Sequence, residues 1–264
     1  MDCSSDTDHN RSVIPFIAPA SIAIRAALSA ARAAIQLIDL TSHTGVHPCF
    51  GAVDVIPFVP LEPPQMPAAV LASQEAALCI ASQLDIPVYL YEESATRPER
   101  RNLAEVRKIR SADPGSSGVA PDFGPPWFHP TAGAVAIGAR GPLVAYNVDL
   151  ATSDVSIAIE IARRIRALRG TPQELAGVKA LGLFLDSRGV AQVSTNITLP
   201  DACPPRSVFD FIVSQAAEMG VQVLGSELIG IVSSRHLPLE DIAAMHFSKP
   251  IRPGQIIETW LSGV

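Results

Sequence analysis

The sequence predicts a mixed α/β (α+β) fold organised as two successive units of strands and helices. Two observations predict it: apolar runs of strand length alternate with amphipathic runs of helix length, and the alternation occurs once in each half of the chain. Of the 264 residues, 48% are hydrophobic. This supplies enough apolar material for one large core or two modest ones.

The N-terminal half contains five predicted elements in the order strand, helix, strand, helix, strand. The first helix is rich in alanine, and small residues would let it lie close against a sheet. The predicted bounds are 11–17, 19–37, 53–59, 67–84 and 87–91. The few residues before position 11 cannot form the opening strand and helix of a six-element unit. We therefore expect this unit to be incomplete at its start.

The C-terminal half predicts six elements. Residues 143–150 form an apolar, partly alternating strand, and Ser153 suits the N-cap of a helix that runs to about Leu168 and ends at Gly170. Two strands joined by a turn at 186–189, a helix and a last strand follow, at 178–185, 189–197, 207–219 and 221–224. The order β-α-β-β-α-β is that of the ferredoxin-like split unit. The expected architecture is two ferredoxin-like subdomains, the N-terminal one incomplete.

A long connection at 95–131 lies between the halves. It begins with a basic cluster, passes through a Ser- and Gly-rich stretch at 111–118 and ends in a Pro- and Gly-rich stretch at 121–133. The cluster is either a solvated, charge-mixed helix or a site for an anionic ligand; its members are Arg97, Arg100, Arg101, Arg107, Lys108 and Arg110. We divide the chain into an N-terminal subdomain (1–141), a C-terminal subdomain (142–232) and a divergent tail (233–264).

Composition excludes several classes of protein. The 20 basic and 26 acidic residues argue against a nucleic-acid binder. Four scattered cysteines without a C-x-x-C pair argue against a disulfide framework and indicate a reducing compartment. The polar N-terminus does not resemble a signal peptide, and no apolar run of 18 or more residues predicts a membrane span. We expect a cytoplasmic protein that binds neither nucleic acid nor membrane.

The stretch from His43 to Asp54 is the most informative part of the sequence about function. It contains two histidines, two glycines, a proline and an acidic residue. A helix would place His43 and His47 on one face, as in a metal-binding pair. Gly45 and Pro48 make that helix improbable. His47 is therefore interpreted as a loop histidine before a strand, able to exchange a proton near neutral pH.

These segments together resemble the glutamate formimidoyltransferase (formiminotransferase) family, of the type that also forms the first domain of formiminotransferase-cyclodeaminase. The resemblance covers residues from about 2 to about 232, without the family's first strand and helix. The motifs that carry it are Asp8-His-Asn-Arg-Ser-Val13, Leu37-Ile-Asp39, His43 to Asp54, Ile86-Pro-Val-Tyr-Leu-Tyr91, Arg97-Pro-Glu-Arg-Arg-Asn-Leu103, Pro121-Asp-Phe-Gly124, His129-Pro-Thr-Ala-Gly133, Ala145-Tyr-Asn-Val148, Ala191-Gln-Val-Ser-Thr-Asn196 and Gly225-Ser-Glu-Leu-Ile-Gly230.

The resemblance implies a reaction of one-carbon metabolism and histidine degradation, in which a formimino group moves between N-formimino-L-glutamate and tetrahydrofolate. Its catalytic histidine falls on His47, and Asn10 and Arg11 are expected near the site. Tetrahydrofolate would be a cosubstrate, no metal is expected, and the enzyme would be a cytoplasmic homodimer. The family's folate-binding stretch falls on Gly124, Pro125, Pro126, Trp127, Phe128, His129, Pro130, Thr131, Ala132 and Gly133. The basic cluster could then hold the polyglutamate tail of folate.

The chain departs from the family at several positions. Cys49 and Phe50 stand where Arg-Met is usual, and Ser4 stands where relatives carry an acidic residue, a role that Asp6 or Asp8 could fill. These departures motivate an alternative function, a catalytically impaired relative that binds folate or a related anion without transfer.

Other readings of the same side chains stay open. His43 is expected to be structural, and His129 either contacts ligand or packs its own loop. A zinc site of His43, His47 and Cys49, or a Cys49 nucleophile, is a weaker alternative.

Overall fold

The computed structural model of this protein describes residues 3–109, 120–168 and 175–261. The predicted flexible stretch at 111–118 and the predicted helix end at Gly170 lie outside these ranges. The strands are β1 Ser4–Asp6, β2 Arg11–Val13, β3 Asp54–Phe58, β4 Val88–Leu90, β5 Val135–Ala139, β6 Val144–Leu150, β7 Val178–Leu185, β8 Val190–Ile197 and β9 Val223–Ile229. The helices are α1 Ala20–Leu37, α2 Met66–Leu84, α3 Leu103–Lys108, α4 Val155–Leu168, α5 Pro205–Glu218, α6 Leu239–Ala244 and α7 Ile257–Leu261.

The mixed α/β fold class predicted from the sequence is confirmed, and the chain divides by contact into two compact units. The central unit comprises residues 17–141, and the terminal unit comprises residues 1–16 together with 142–264. The division differs from the one expected from the sequence, which kept 1–16 with the N-terminal subdomain and set 233–264 apart as a tail.

The terminal unit contains a four-stranded antiparallel sheet in the order β7-β8-β6-β9. Helices α4 and α5 pack on it, and their buried residues Ile161, Ile165 and Ile212 join the strands in one core. The element order β-α-β-β-α-β and this strand order are compatible with the predicted ferredoxin-like unit. Strand β9 begins two residues later and extends five residues further than the predicted strand at 221–224.

Two further segments belong to the terminal unit. Strands β1 and β2 form an antiparallel hairpin, and the Asp8 carboxylate in its turn accepts hydrogen bonds from the backbone nitrogen (2.9 Å) and hydroxyl (2.5 Å) of Ser187. The C-terminal residues add bridges that pair Ser226 with Phe247 and Val232 with Ile256. These contacts explain why both ends of the chain group with residues 142–232.

The central unit contains a parallel three-stranded sheet in the order β3-β5-β4. The sequence analysis did not identify β5, because its residues Val-Ala-Ile-Gly-Ala are small and every one of them is buried. A parallel sheet differs from the antiparallel sheet of the terminal unit. The two units therefore share the packing of helices on a sheet, but not the same strand directions.

The two faces of the parallel sheet carry different residues, since side chains alternate along a strand. On one face Val88, Leu90 and Ile137 pack with buried residues of α1 and α2. On the other face Tyr89 and Ala136 pack with Phe50 and with Val106 of α3. Phe128, from the stretch predicted to bind folate, also packs on this second face.

Candidate functional site

His47 lies in an irregular loop between a 3₁₀ turn at 40–42 and β3, as Gly45 and Pro48 predict. Its side chain is half-buried, and its Nδ1 lies 2.9 Å from the carbonyl oxygen of Pro48. A carbonyl can only accept, so Nδ1 donates, and in the neutral ring Nε2 carries the lone pair. The loop therefore sets the tautomer in which Nε2 is the basic nitrogen.

His43 lies just after the 3₁₀ turn, and its backbone nitrogen donates to the carbonyl of Leu40 at 3.3 Å. It does not share a helix with His47. Among residues 3–109, 120–168 and 175–261, no group of three or more His, Cys, Asp or Glu side chains is arranged to hold a metal ion. The zinc alternative has no support in this part of the chain.

The stretch predicted to bind folate, 124–133, ends in a tight turn. His129 and Gly133 exchange two backbone hydrogen bonds of 2.9 Å. The Nδ1 of His129 accepts hydrogen bonds from the backbone nitrogens of Ala132 (3.0 Å) and Thr131 (3.3 Å). This histidine packs and orders its own loop, and its neutral ring carries the proton on Nε2.

Glycines bring the His47 loop and the 124–133 stretch together. Gly51 pairs with Gly133 in an antiparallel bridge, and Ala52 donates to the carbonyl of Ala132 at 2.9 Å. A Cβ at Gly51 would lie 1.8 Å from the backbone oxygen of Ala134, so only glycine fits there. The structure thus places the predicted base and the predicted folate stretch in one unit, on adjoining backbone.

A surface pocket of about 290 Å³ opens at this junction. It is lined by Leu40, Thr41, Phe128, His129, Pro130 and Gly133. The backbone nitrogen of Leu40 donates to the carbonyl of Thr131 at 2.8 Å, which ties one wall to the other. Trp127, expected to offer an aromatic surface, is 62% exposed. Apolar and aromatic walls with a few polar groups are typical of small-molecule sites.

An aromatic cluster supports the site from inside. The rings of Phe50 and Tyr89 lie 5.2 Å apart edge to face, and Phe128 stacks on Tyr89 at 6.2 Å. Phe50 is fully buried, so this departure from the family pattern is a packing residue of the core. Burial raises the pKa of Tyr89 to about 12, which keeps its phenol neutral.

The basic cluster at 97–110 contains two part-buried ion pairs. Arg100, which is 1% exposed, pairs with Asp122 at 2.6 Å, and its guanidinium lies 5.0 Å from the centre of the Tyr89 ring. Arg107 pairs with Asp54 at 2.6 Å. The sequence predicted either a solvated surface helix or a site for an anionic ligand. These two arginines fit neither prediction, because both are largely buried and paired with carboxylates of the chain itself. The sequence does not identify Asp54 and Asp122 as the partners of these arginines, because the pairs join residues that are 53 and 22 positions apart. Arg110 lies outside the described residues.

Asn10 and Arg11 lie in the terminal unit, in the β1–β2 hairpin. Asn10 has a positive φ of 46°, and its backbone nitrogen donates to Thr7 in the turn. Arg11 lies opposite Asp6 in the strand register. Asp6 accepts from the backbone and ring nitrogens of His9, and these bonds outweigh burial and lower the pKa of its carboxyl.

Two domain-family models match the chain. One, described as the N-terminal subdomain of the formiminotransferase domain, matches residues 1–140, and one described as the formiminotransferase domain matches residues 145–250.

Curated relatives agree with these matches. The chain is 42% identical to a glutamate formimidoyltransferase from Streptococcus pyogenes, over 90% of the chain and 80% of the relative. It is 40% identical to one from Thermoplasma acidophilum, over 90% and 79%. A formimidoyltransferase-cyclodeaminase from Sus scrofa is 36% identical over 94% of the chain, which spans 47% of that longer relative.

Proposed function

The chain belongs to the formiminotransferase family, and from that premise we propose that it moves a formimino group between N-formimino-L-glutamate and tetrahydrofolate. The observation that carries this proposal is the identity of 42% and 40% to two glutamate formimidoyltransferases over 90% of the chain. The alternative of a non-catalytic folate binder is not favoured. Phe50, one of the departures from the family pattern that motivated it, is fully buried and packs in the core.

His47 is the proton carrier in this proposal. The ring nitrogen of tetrahydrofolate attacks the amidine carbon of the donor, so a nitrogen–carbon bond forms as the carbon–nitrogen bond to glutamate breaks. Nε2 of His47 takes the proton that the folate nitrogen loses and gives it to the departing glutamate nitrogen. Such proton transfer contributes about 10²–10⁴-fold to the rate. The bond from Nδ1 to Pro48 supports this role, since it leaves the lone pair on Nε2.

The stretch 124–133 is proposed to bind the folate. Phe128, His129, Pro130 and Gly133 line the pocket together with Leu40 and Thr41, and the exposed ring of Trp127 would offer a flat apolar surface to the pterin. Holding both cosubstrates in contact would supply the rest of the rate enhancement. Asn10 and Arg11 are proposed to contribute polar contacts to a substrate carboxylate, through the planar guanidinium of Arg11.

The setting is proposed by family likeness to be a cytoplasmic homodimer acting in histidine degradation. The four cysteines are all thiols, as expected in a reducing compartment. Among the described residues, no helix combines the length and the hydrophobicity that a transmembrane span needs.

The test is to incubate the purified chain with N-formimino-L-glutamate and tetrahydrofolate and to measure both glutamate released and formimino-folate formed. The two products are expected in equal amounts and in large molar excess over the enzyme. Fully oxidised folic acid, whose pteridine ring lacks the attacking amine, is the matched control and should give neither product. Glutamate release without formimino-folate, or binding of folate without turnover, would contradict the proposal.

A further inference from the structure

Asp54 adopts a backbone conformation that its surroundings must hold in place. Its φ is +58°, in the left-handed region that residues other than glycine rarely adopt, and it is the first residue of β3. Asn and Asp visit this region more readily than other residues, but it still has an energetic cost. The side chain is 13% exposed, and its two carboxylate oxygens make different contacts.

One oxygen holds the end of the His47 loop, and the other holds a helix. Oδ1 accepts from the backbone nitrogen of Phe50 at 2.7 Å. Oδ2 accepts from the guanidinium of Arg107 on α3 at 2.6 Å, and the Arg107 side chain is 18% exposed. Charged hydrogen bonds of this length in a partly dry site are stronger than neutral ones. Asp54 therefore links α3 to the backbone three residues beyond His47.

Several residues of the segment 50–54, which connects the His47 loop to β3, are held in place by contacts. The ring of Phe50 is buried, Gly51 is pressed against Ala134, and Ala52 is bonded to Ala132. The Asp54–Phe50 bond closes this turn, so it fixes the direction from which the chain enters β3. Moving the turn would shift the His47 loop relative to the 124–133 stretch.

We propose that Asp54 and Arg107 are positioning residues for His47. The carboxylate, oriented by the guanidinium, fixes the turn that anchors the His47 loop, and so it holds the imidazole at its working position. This role rests on the proposed function, because the position matters only if His47 relays the proton. A displacement of about 1 Å in such a site can cost about 100-fold in rate.

Three substitutions separate the contacts. Asp54→Asn tolerates the left-handed φ and keeps an oxygen for Phe50, but it loses the charge that Arg107 meets. Asp54→Gly tolerates the φ and removes both contacts. Arg107→Lys keeps a cation. We expect kcat to fall by about 100-fold in Asp54→Gly and by much less in Asp54→Asn and Arg107→Lys, with the KM for tetrahydrofolate little changed in all three.

Matched controls come from the same helix. Glu105→Gln removes a carboxylate of the same helix, whose pair with Lys108 is on the surface, and it should keep the wild-type kcat. Val106→Ala opens a cavity at a fully buried position without touching the pair. It should lower the melting temperature and keep kcat. A fall of kcat in Val106→Ala equal to that in Asp54→Gly at matched stability would assign the effect to general destabilisation and overturn the proposal.

A spectroscopic readout keeps this inference separate from the proposed function. In long-range ¹H–¹⁵N spectra at pH 8, the His47 ring, assigned by loss of its signals in His47→Ala, should show one neutral tautomer with the proton on Nδ1. In Asp54→Gly both tautomers should appear. An unchanged His47 ring in Asp54→Gly, or a wild-type kcat there, would overturn the positioning role. If the wild-type chain transfers no formimino group, the proposed function fails, while the tautomer comparison still decides whether Asp54 orders the loop.

Discussion

Phe50 shows how a departure from a family pattern can be explained by packing. The family resemblance implies a Met at this position, beside the proposed base, yet the ring of Phe50 is fully buried between Tyr89, at 5.2 Å, and Phe128, at 5.7 Å. Edge-to-face pairs of this kind add about 0.5–1.5 kcal/mol beyond burial. The position therefore contributes to stability and supports the loop that carries Phe128.

Phe50→Ala should lower the free energy of unfolding by about 3–5 kcal/mol, because it leaves a cavity in the aromatic cluster. Phe50→Met, the residue usual in the family, keeps most of the volume and should cost only about 1–2 kcal/mol. Urea denaturation followed by circular dichroism measures both. Trp127→Ala, at an exposed position, should change stability by less than about 0.5 kcal/mol. A cost for Phe50→Ala no larger than that of Trp127→Ala would show that the cluster does not support the fold.

At the scale of the element, the contact between the His47 loop and the 124–133 stretch depends on Gly51. A methyl group there would enter the van der Waals radius of the Ala134 carbonyl, a backbone atom that cannot swing away. Gly51→Ala should therefore cost about 3 kcal/mol in unfolding free energy. It should also raise the KM for tetrahydrofolate if the two segments form the proposed site.

Gly141→Ala is the control for the loss of a glycine. Apart from Gly141 and its two neighbours in the chain, no heavy atom of the described residues lies within 4 Å of the position that a Cβ would take there, so its stability should stay within about 1 kcal/mol of the wild type. Thermal melts and steady-state kinetics of the two variants give the comparison. Equal melting temperatures for Gly51→Ala and Gly141→Ala would contradict the close approach.

How far the sequence predicted the structure also depends on the element. The helix at 20–37 and the strand at 54–58 were predicted within a residue or so, because apolar periodicity and flanking prolines mark them. Strand β5 was missed, since a run of small buried residues shows neither period. The ion pairs of Asp54 and Asp122 join residues 53 and 22 positions apart. Such pairs follow from tertiary packing, which no local pattern encodes.

At the scale of the whole molecule, every tyrosine of the chain lies in a core. The three are Tyr89, Tyr91 and Tyr146, and burial raises the pKa of each phenol, to about 12 for the first two. A phenol whose pKa is higher in the folded than in the unfolded protein stabilises the fold fully below the unfolded value of 10.0. That contribution is lost as the pH rises through the folded value.

Absorbance at 295 nm during an alkaline titration tests this directly. The native protein should show almost no tyrosinate at pH 10, and its ionisation should begin near pH 12 together with unfolding. The same protein in guanidinium chloride should titrate near pH 10. A native step near pH 10 would contradict the burial of the tyrosines.

The single-turnover rate of formimino transfer in His47→Ala tests whether the His47 imidazole relays the proton between the folate and glutamate nitrogens. If His47 relays the proton, this rate should fall by about 10²–10⁴-fold, with tetrahydrofolate affinity kept. His43→Ala, in the same loop region, should change the rate far less. A wild-type rate in His47→Ala would show that another group, or water, carries the proton.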